Sequence, residues 1–525
     1  MKNLIWILLF FLSGTSLWAQ DEVVKQYMGA ITSDDLRQQL SIFASDDFEG
    51  RNTGTAGADA AALYLADGFK SSDLVGLSNS VSNPYFQPVE LYKTKTVASY
   101  IEGNGVTLNN IDNIFILNSP KGTSELDLVF VGYGKNGKDY PAIDVKGKVV
   151  VMCTGEPHNA EGIYLTTGTD QPEFPAFTDF RSLNSHLSAR MEYFLDQGAK
   201  GFIILEPDAE KLNSALGRIS RYLGGDRIGP KDAAPRGGSR RGEFYAVASV
   251  EKALPVLGMN AETYDNLLKT VDAGGAFPYE KYTVKIKSVK EVSETPVRAQ
   301  NVIGLLEGGE LKDEVIVVSA HYDHLGTSSQ GVFNGADDNA SGSVALLELS
   351  KVFNNAKKAG YTPRRSILFI GYTGEEEGLL GSRWYAEHPL FPTGNTFANI
   401  NIDMISRIDS AHFEDPNFLY SIGSDFITPK LREVFDSVDK EYTPSLKLDY
   451  TFNSADDPNN FYTRSDHYPL ASKGVPSVFF FSGEHEDYHK VTDDVEKVNF
   501  PQYELRTKLI FASLWKLANM DENLK

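Results

Sequence analysis

The sequence predicts an α/β protein: a mainly parallel sheet flanked by helices, with an inserted β-rich domain. Two observations predict it. After residue 295, apolar runs of strand length alternate with helical patterns, as in "DEVIVVSAHYD", "NASGSVALLELSKVFNNA", "RRSILFIGY", "FANINI" and "GVPSVFFFSG". Such alternation makes a parallel sheet with helices on both faces, because each crossover helix must cover the strands it joins. Before it, between about 122 and 275, a separate set of glycine-bounded strands, "ELDLVFVGYG" and "KGKVVVMCTG" among them, reads as a second unit.

The chain opens with "MKNLIWILLFFLSGTSLWAQDE", one lysine and an apolar run from Leu4 to Leu12 followed by small residues. The run is too short to span a bilayer and reads as a signal peptide cleaved near Ala19, so the protein is expected to be exported, to periplasm or medium. No other stretch reads as a membrane span. Residues 20–75 read as helices, "DDLRQQLSIFAS" and "GADAAALYLADGF", around a Gly/Thr/Asn loop, "DDFEGRNTGTAG". That loop lacks the Lys-Ser/Thr ending of a phosphate loop, which argues against nucleotide binding. Residues 80–120 are expected to form strands and turns. In the second unit, "MEYFLDQGAKGFIIL" reads as helix then strand, and "ALPVLGMNAETYDNLLKT" as strand, turn, helix. The stretch 206–243 reads as a solvated loop. It carries Arg218, Arg221, Arg227, Lys231, Arg236, Arg240 and Arg241 in an otherwise acidic chain. The organisation expected is 1–19 signal peptide, 20–121 first part of the catalytic domain, 122–275 insert, and 276–525 the main catalytic domain.

Composition excludes some functions. The net charge of −21 repels phosphate backbones, which argues against nucleic acid as a partner. The single cysteine, Cys153, rules out an internal disulfide and sits in an apolar strand, where it reads as a buried structural thiol.

The chemistry is concentrated where the apolar strands of the second half end. After "VIVVSA" come His321, Tyr322, Asp323 and His324; after "GVFNGA" come Asp337, Asp338 and Asn339. After "ILFIGYTG" come Glu375, Glu376 and Glu377; after "ANINI", Asp403; after "VFFFSG", the run Glu484 to His489. In open α/β sheets ligands bind at the carboxyl ends of the strands. Uncompensated carboxylates gathered there cost too much to be packing residues. Imidazoles and carboxylates without cysteine suit a divalent metal of intermediate hardness, zinc first. The set exceeds the three protein ligands of a mononuclear catalytic zinc, and the surplus fits a carboxylate bridging two ions. A free glutamate beside a liganded one would take the proton of an attacking water.

The ordered motifs "SAHYDH", "NGADDNASG", "TGEEEGLLGS", "NIDMI" and "EDYHKVTDD" resemble the co-catalytic dizinc aminopeptidase family. Secreted relatives of glutamate carboxypeptidase and of the transferrin receptor ectodomain belong to it. "LVFVGYG", "VKGKVVVM" and "GAKGFIIL" resemble the protease-associated insert of some members. The resemblance implies a zinc aminopeptidase-like fold and two Zn2+ per chain. One ion would be held by His321 and Asp403, the other by Glu376 and His489, with Asp338 bridging. It implies Glu375 as general base and acid, Asp323 as the group orienting His321, and Tyr488 as the residue polarising the substrate carbonyl. It also implies an exopeptidase that removes N-terminal residues from peptides with a free N-terminus, by metal-bound hydroxide. Carboxypeptidase or dipeptidase activity on the same centre, a glutaminyl cyclase-like single-zinc acyltransferase and a non-catalytic binding ectodomain are the alternatives. Residues outside the motif set read blandly. Glu377 is expected as a solvated helix residue and Asp337 as a helix cap or exposed carboxylate. His324 and His485 are expected beside the site or on the surface; His467 and Asp466 lie in a segment that resembles a substrate-pocket loop of the family, where Asp466 either supports the site or serves the loop's structure.

Overall fold

The computed structural model describes residues 21–78, 83–134, 143–173, 177–224, 226–231, 242–273 and 283–524. The signal-peptide reading and the Arg236, Arg240 and Arg241 positions lie outside them. The chain divides into two compact units. The first takes up the described residues as far as Leu91 and resumes at Val297; the second runs Tyr92–Pro296.

The first unit is the expected α/β layer. Among the described residues its sheet has the order Phe86–Pro88, Gln300–Leu306, Arg365–Tyr372, Leu311–His321, Thr396–Ile402, Ser477–Phe481, Phe418–Ile422, Lys447–Asp449. Four central strands are mutually parallel: Arg365–Tyr372, Leu311–His321, Thr396–Ile402 and Ser477–Phe481. Every residue of Arg365–Tyr372, Thr396–Ile402 and Ser477–Phe481 is buried, which is why they read as continuous apolar runs. One face packs against helices Ser33–Phe43, Ala56–Ser71, Gly342–Lys358 and Phe500–Asn519. Their Leu40, Phe69, Leu349 and Phe511 share a core with Ile316, Phe369 and Phe480. Across the other face, Tyr385 of helix Leu380–Glu387 packs with Val317 and Ile370.

Two arginines hold this unit from inside. Arg51, in the "GRNTG" loop, is fully buried. It donates to the carbonyls of Tyr322 (2.9 Å), Phe43 (3.2 Å), Asn334 (2.7 Å) and Gly335 (3.1 Å). Burial lowers its pKa to about 10, so it stays charged at neutral pH. Arg506 does the same for the carbonyls of Phe418, Ile405 and Arg407. In both cases a guanidinium satisfies carbonyls in turns and at the ends of a helix or strand.

The second unit is a mixed sheet whose strands Gly122–Phe130, Val149–Cys153, Gly201–Glu206 and Phe244–Ser249 run parallel. It is wider than the 122–275 expected. The long strands Leu91–Gly103 and Thr283–Val297 belong to its sheet, and their alternating exposure and polar composition hide them from an apolar-run criterion. Two local expectations are corrected. Val250–Val256 is a short helix rather than a strand, because Ala253, Leu254 and Val256 are buried at helical spacing. The supposed loop 206–243 begins with helix Ala209–Gly224, whose Leu212, Ala215 and Leu216 are buried, and Arg227 lies in a strand pairing with Leu91–Gly103. Among the described residues no helix is long and apolar enough to cross a membrane.

Two predictions follow from these buried groups. Arg51→Met leaves four carbonyls without their donor and is expected to cost about 3 kcal/mol or more in urea unfolding. Cys153 is fully buried, with Sγ 3.2 Å from the Tyr264 hydroxyl, and burial pushes its thiol up to about 12. It is expected to resist maleimide in the native protein and to react once the chain is unfolded.

Candidate metal centre

Register delivers the site. Ser319 pairs with Asn401 between parallel strands, so His321 and Asp403, each two residues further on, emerge side by side. His321 pairs with Tyr372 on the other flank, so the Glu375–Glu377 turn leaves from the same edge. Asp338 lies in the irregular turn Ala336–Ser341 just ahead of helix Gly342–Lys358. Tyr488 and His489 follow the fourth parallel strand.

The five expected ligands converge as two trios that share one carboxylate. His321 Nε2 is 3.3 Å from Asp403 Oδ1 and 3.4 Å from Asp338 Oδ1. His489 Nε2 is 3.2 Å from Asp338 Oδ2 and 3.2 Å from Glu376 Oε2. Asp338 thus turns one oxygen to each trio. Donors around a tetrahedral zinc with bonds of about 2.0–2.1 Å are spaced by about 3.3 Å, and the two imidazole-to-carboxylate distances in each trio match that spacing. The donor set therefore fits two divalent ions bridged by Asp338.

Three of the candidate ligands, His321, Asp403 and Glu376, have their other polar atom occupied. His321 Nδ1–H donates to the Asp323 carbonyl at 3.0 Å, which leaves Nε2 as the free lone pair. Asp323 was expected to orient His321, and it is its backbone carbonyl, rather than its carboxylate, that meets Nδ1. That carboxylate is 3.8 Å from Nδ1 and is used elsewhere, accepting from the Glu375 N–H (3.1 Å) and the Thr53 hydroxyl (3.1 Å). Asp403 Oδ2 accepts from Ser465 Oγ at 2.6 Å, at the end of a chain in which Ser319 donates to Asn401 and Asn401 to Ser465. Glu376 Oε1 lies 2.7 Å from His324 Nδ1.

The electrostatics record an excess of negative charge. Burial works against charging His321, but Asp403, Glu375 and Asp338 outweigh it and raise its pKa well above the usual value. His489 is likewise pushed up to about 10, burial being outweighed by Asp338 and Glu376. Glu375 and Glu376 separate. Burial raises Glu375 well above the carboxylate range, with Glu376, Asp466 and Asp403 adding to it against His321. In Glu376 the burial effect is overcome by His324 and His489, and its pKa falls below the ordinary value. Burial, then Asp338, Glu376 and Glu375, raise the Tyr488 hydroxyl. A dication placed among these groups inverts the balance, favouring neutral imidazole and ionised carboxylate.

The centre opens into a pocket floored by His321, Asp338, Glu375 and Asp403, with Tyr488 at its side. Met404, Phe461, Phe479 and Phe481 form an apolar wall, and an Arg464–Glu484 ion pair (2.9 Å) also borders the pocket.

Two bland readings are corrected. Asp337 is no cap or exposed carboxylate: it is fully buried, accepts from Ser406 N (2.7 Å) and Ser406 Oγ (2.8 Å), and faces His485 Nε2 at 3.3 Å. Glu377 lies in a turn, the helix beginning only at Leu380. Of the two places expected for His324, beside the site or on the surface, it takes the first: it is fully buried, with Nδ1 2.7 Å from Glu376 Oε1. Asp466 is fully buried, and His467 stacks on Phe479 with its pKa lowered to about 3 by burial, so it is a neutral packing group. Sequence reasoning missed Thr53, Ser465 and Asp493. Asp493 accepts the backbone N–H of both Asp337 (3.1 Å) and Asp338 (3.1 Å), fixing the turn that aims Asp338. Its one visible signal is its place in "VTDD".

Residues 301–513 match the model of Peptidase family M28. That segment belongs to peptidase family M28. The chain is therefore a peptidase, a hydrolase of peptide bonds. It is 25% identical over 281 residues to a protein of Arthroderma benhamiae named a probable leucine aminopeptidase, covering 48% of this chain and 73% of that one. It is 25% identical over 280 residues to aminopeptidase YwaD of Bacillus subtilis, covering 52% of this chain and 53% of that one. The solved aminopeptidase from Aneurinibacillus sp. strain AM-1 has the same fold. It superposes with a TM-score of 0.53 at 16% identity over 96% of this chain and 97% of that one.

Asp493→Asn turns one of two acceptors into a donor facing amide N–H groups. The variant is expected to lower zinc affinity about 10–100-fold in chelator competition, with its fold intact by circular dichroism.

Proposed function

We propose that the protein is an exported dizinc exopeptidase, an aminopeptidase that removes N-terminal residues from peptides. The observation that carries this reading is the Asp338 carboxylate, whose two oxygens face two donor trios at zinc spacing. Two bridged ions, rather than the single ion of a cyclase-like acyltransferase, use all five ligands. The presence of every ligand together with the unliganded Glu375 argues against a binding ectodomain. The relatives named aminopeptidases favour the amino end over the carboxyl end.

Zinc held by these residues supplies Lewis acidity and lowers the pKa of an attacking water. His321, Asp403, Asp338, Glu376 and His489 hold the ions at fixed separation. Glu375, on the pocket floor and beside no second imidazole, takes the proton of the attacking water and returns it to the leaving amine. Its turn is fixed by the Glu375 N–H bond to Asp323, so base and ligand keep their places although they are adjacent in the chain. Tyr488, whose hydroxyl is held protonated by burial and nearby carboxylates, donates to the developing oxyanion. The carboxylates provide the negative surroundings that a substrate α-ammonium group prefers. The aromatic wall accommodates an apolar first side chain. The second unit serves as a protease-associated-like insert, and export rests on the leader ahead of Gln20.

Two measurements test this. Glu375→Gln is expected to retain two zinc ions per chain and to lose about 10²–10⁴ in kcat. Loss of metal along with activity would contradict the role given to Glu375. Wild-type protein is expected to cleave leucyl anilides with a free amine and to leave the N-acetylated substrates intact. Equal turnover of both would sink the aminopeptidase assignment.

A further inference from the structure

We propose that His324 is a positioning residue for the second metal: it holds Glu376 by one oxygen so that the other faces His489 and Asp338. The inference rests on the dinuclear reading above and concerns a residue outside the five-ligand set.

The geometry is specific. His324 leaves the His321 strand by three residues, and its backbone N–H donates to the Arg51 carbonyl at 3.3 Å. Its ring is fully buried and stands edge-on to His489, with centroids 5.9 Å apart. Room for that ring depends on a missing side chain: a Cβ at Gly335 would lie 2.5 Å from His324 Cδ2. Gly335 also has a φ of +52°, so the position disfavours other residues twice over. Nδ1 lies 2.7 Å from Glu376 Oε1, whereas Glu376 Oε2 faces His489 at 3.2 Å.

His324 also has the residue type and place of a ligand, since its nitrogen, Asp338 and Glu376 lie close enough to surround an ion. The distances decide between the roles. The His321 and His489 contacts of 3.2–3.4 Å are those of donors sharing an ion, whereas 2.7 Å is the length of a charge-assisted hydrogen bond. Nδ1 is also 3.7 Å from Asp338 Oδ2, further than either ligand imidazole stands from that carboxylate. The proton therefore sits on Nδ1. Nε2, buried without a hydrogen-bond partner, is left as a lone pair, which costs less to bury unpaired than an N–H carrying charge. The consequence is selective. His324 touches only the Glu376–His489 side of the centre, so its removal should loosen one ion and spare the other.

The test is a metal titration of the full mature chain, stripped of metal and followed by the visible spectrum of Co2+, for wild type, His324→Ala and His324→Asn. Wild type is expected to bind two ions. The alanine variant should bind the first with unchanged affinity and the second about 10–100-fold more weakly. The asparagine variant should recover most of that loss, because its amide N–H can donate to Glu376 Oε1 but an amide is a poor metal ligand. An alanine variant that binds both ions like wild type overturns the proposal. An asparagine variant as impaired as alanine, with the first site intact as the control for folding, overturns it in favour of direct ligation. Wild-type protein that binds fewer than two ions fails the dinuclear reading itself, and the inference falls with it.

Discussion

Everything around the centre follows from one constraint: too many carboxylates are buried in one place. Asp323, Asp337, Asp338 and Asp403 are buried and Glu375 and Glu376 half-buried, at the ends of neighbouring parallel strands. Two like charges about 4 Å apart repel by about 4 kcal/mol at an effective dielectric of 20, and desolvation adds to that. Folding tolerates such a cluster only where opposite charge or a full set of donors answers each group. The protein uses both devices and divides them by residue. Asp337, Asp323 and Asp403 are met by hydroxyl or backbone donors. Asp338 and Glu376 turn oxygens toward the His489 imidazole, each at 3.2 Å.

The supporting residues come from far away in the chain, and this gives the centre its rigidity. Thr53 and Arg51 belong to the first helical segment, yet one holds Asp323 and the other the carbonyls of Tyr322, Asn334 and Gly335, on either side of the ligands. Asp493 reaches back from the C-terminal loop to the turn that carries Asp338. Strand register sets where the ligands emerge, and these long-range bonds set where they point. A site built on ladder ends alone would be placed to within a residue but would remain loose in rotation.

The division between register and orientation also explains what was legible. The central strands are readable because burial on both faces leaves an unbroken apolar run, and the ligands are readable because each run ends in a His or carboxylate. The flanking strands of the second unit were not, since Leu91–Gly103 alternates exposed Lys and Thr with half-buried residues and so resembles a linker. Asp337 and Asp493 escaped for a different reason, and of the two places open to His324 the sequence could not choose one. Their types are common on surfaces, and only three-dimensional contacts with Glu376, Ser406 and the Asp338 N–H distinguish them. The stretch from Ala253 misled because the short apolar run "ALPVL" fits a short strand and a single buried helical turn about equally well.

The glutamate triplet shows how finely the environment partitions one residue type. Glu375, Glu376 and Glu377 are consecutive, in a turn rather than on a helix, so their side chains take unrelated directions. Glu376 meets two imidazoles, His324 and His489, which stabilise its ionised form strongly enough to overcome burial. Glu375 meets one imidazole and three acids, Glu376, Asp466 and Asp403, and burial raises its pKa instead. The same amino acid is thereby pushed toward permanent ionisation at one position and toward proton exchange at the next. On the function proposed above, the ligand and the proton carrier are told apart by their neighbours and not by their sequence.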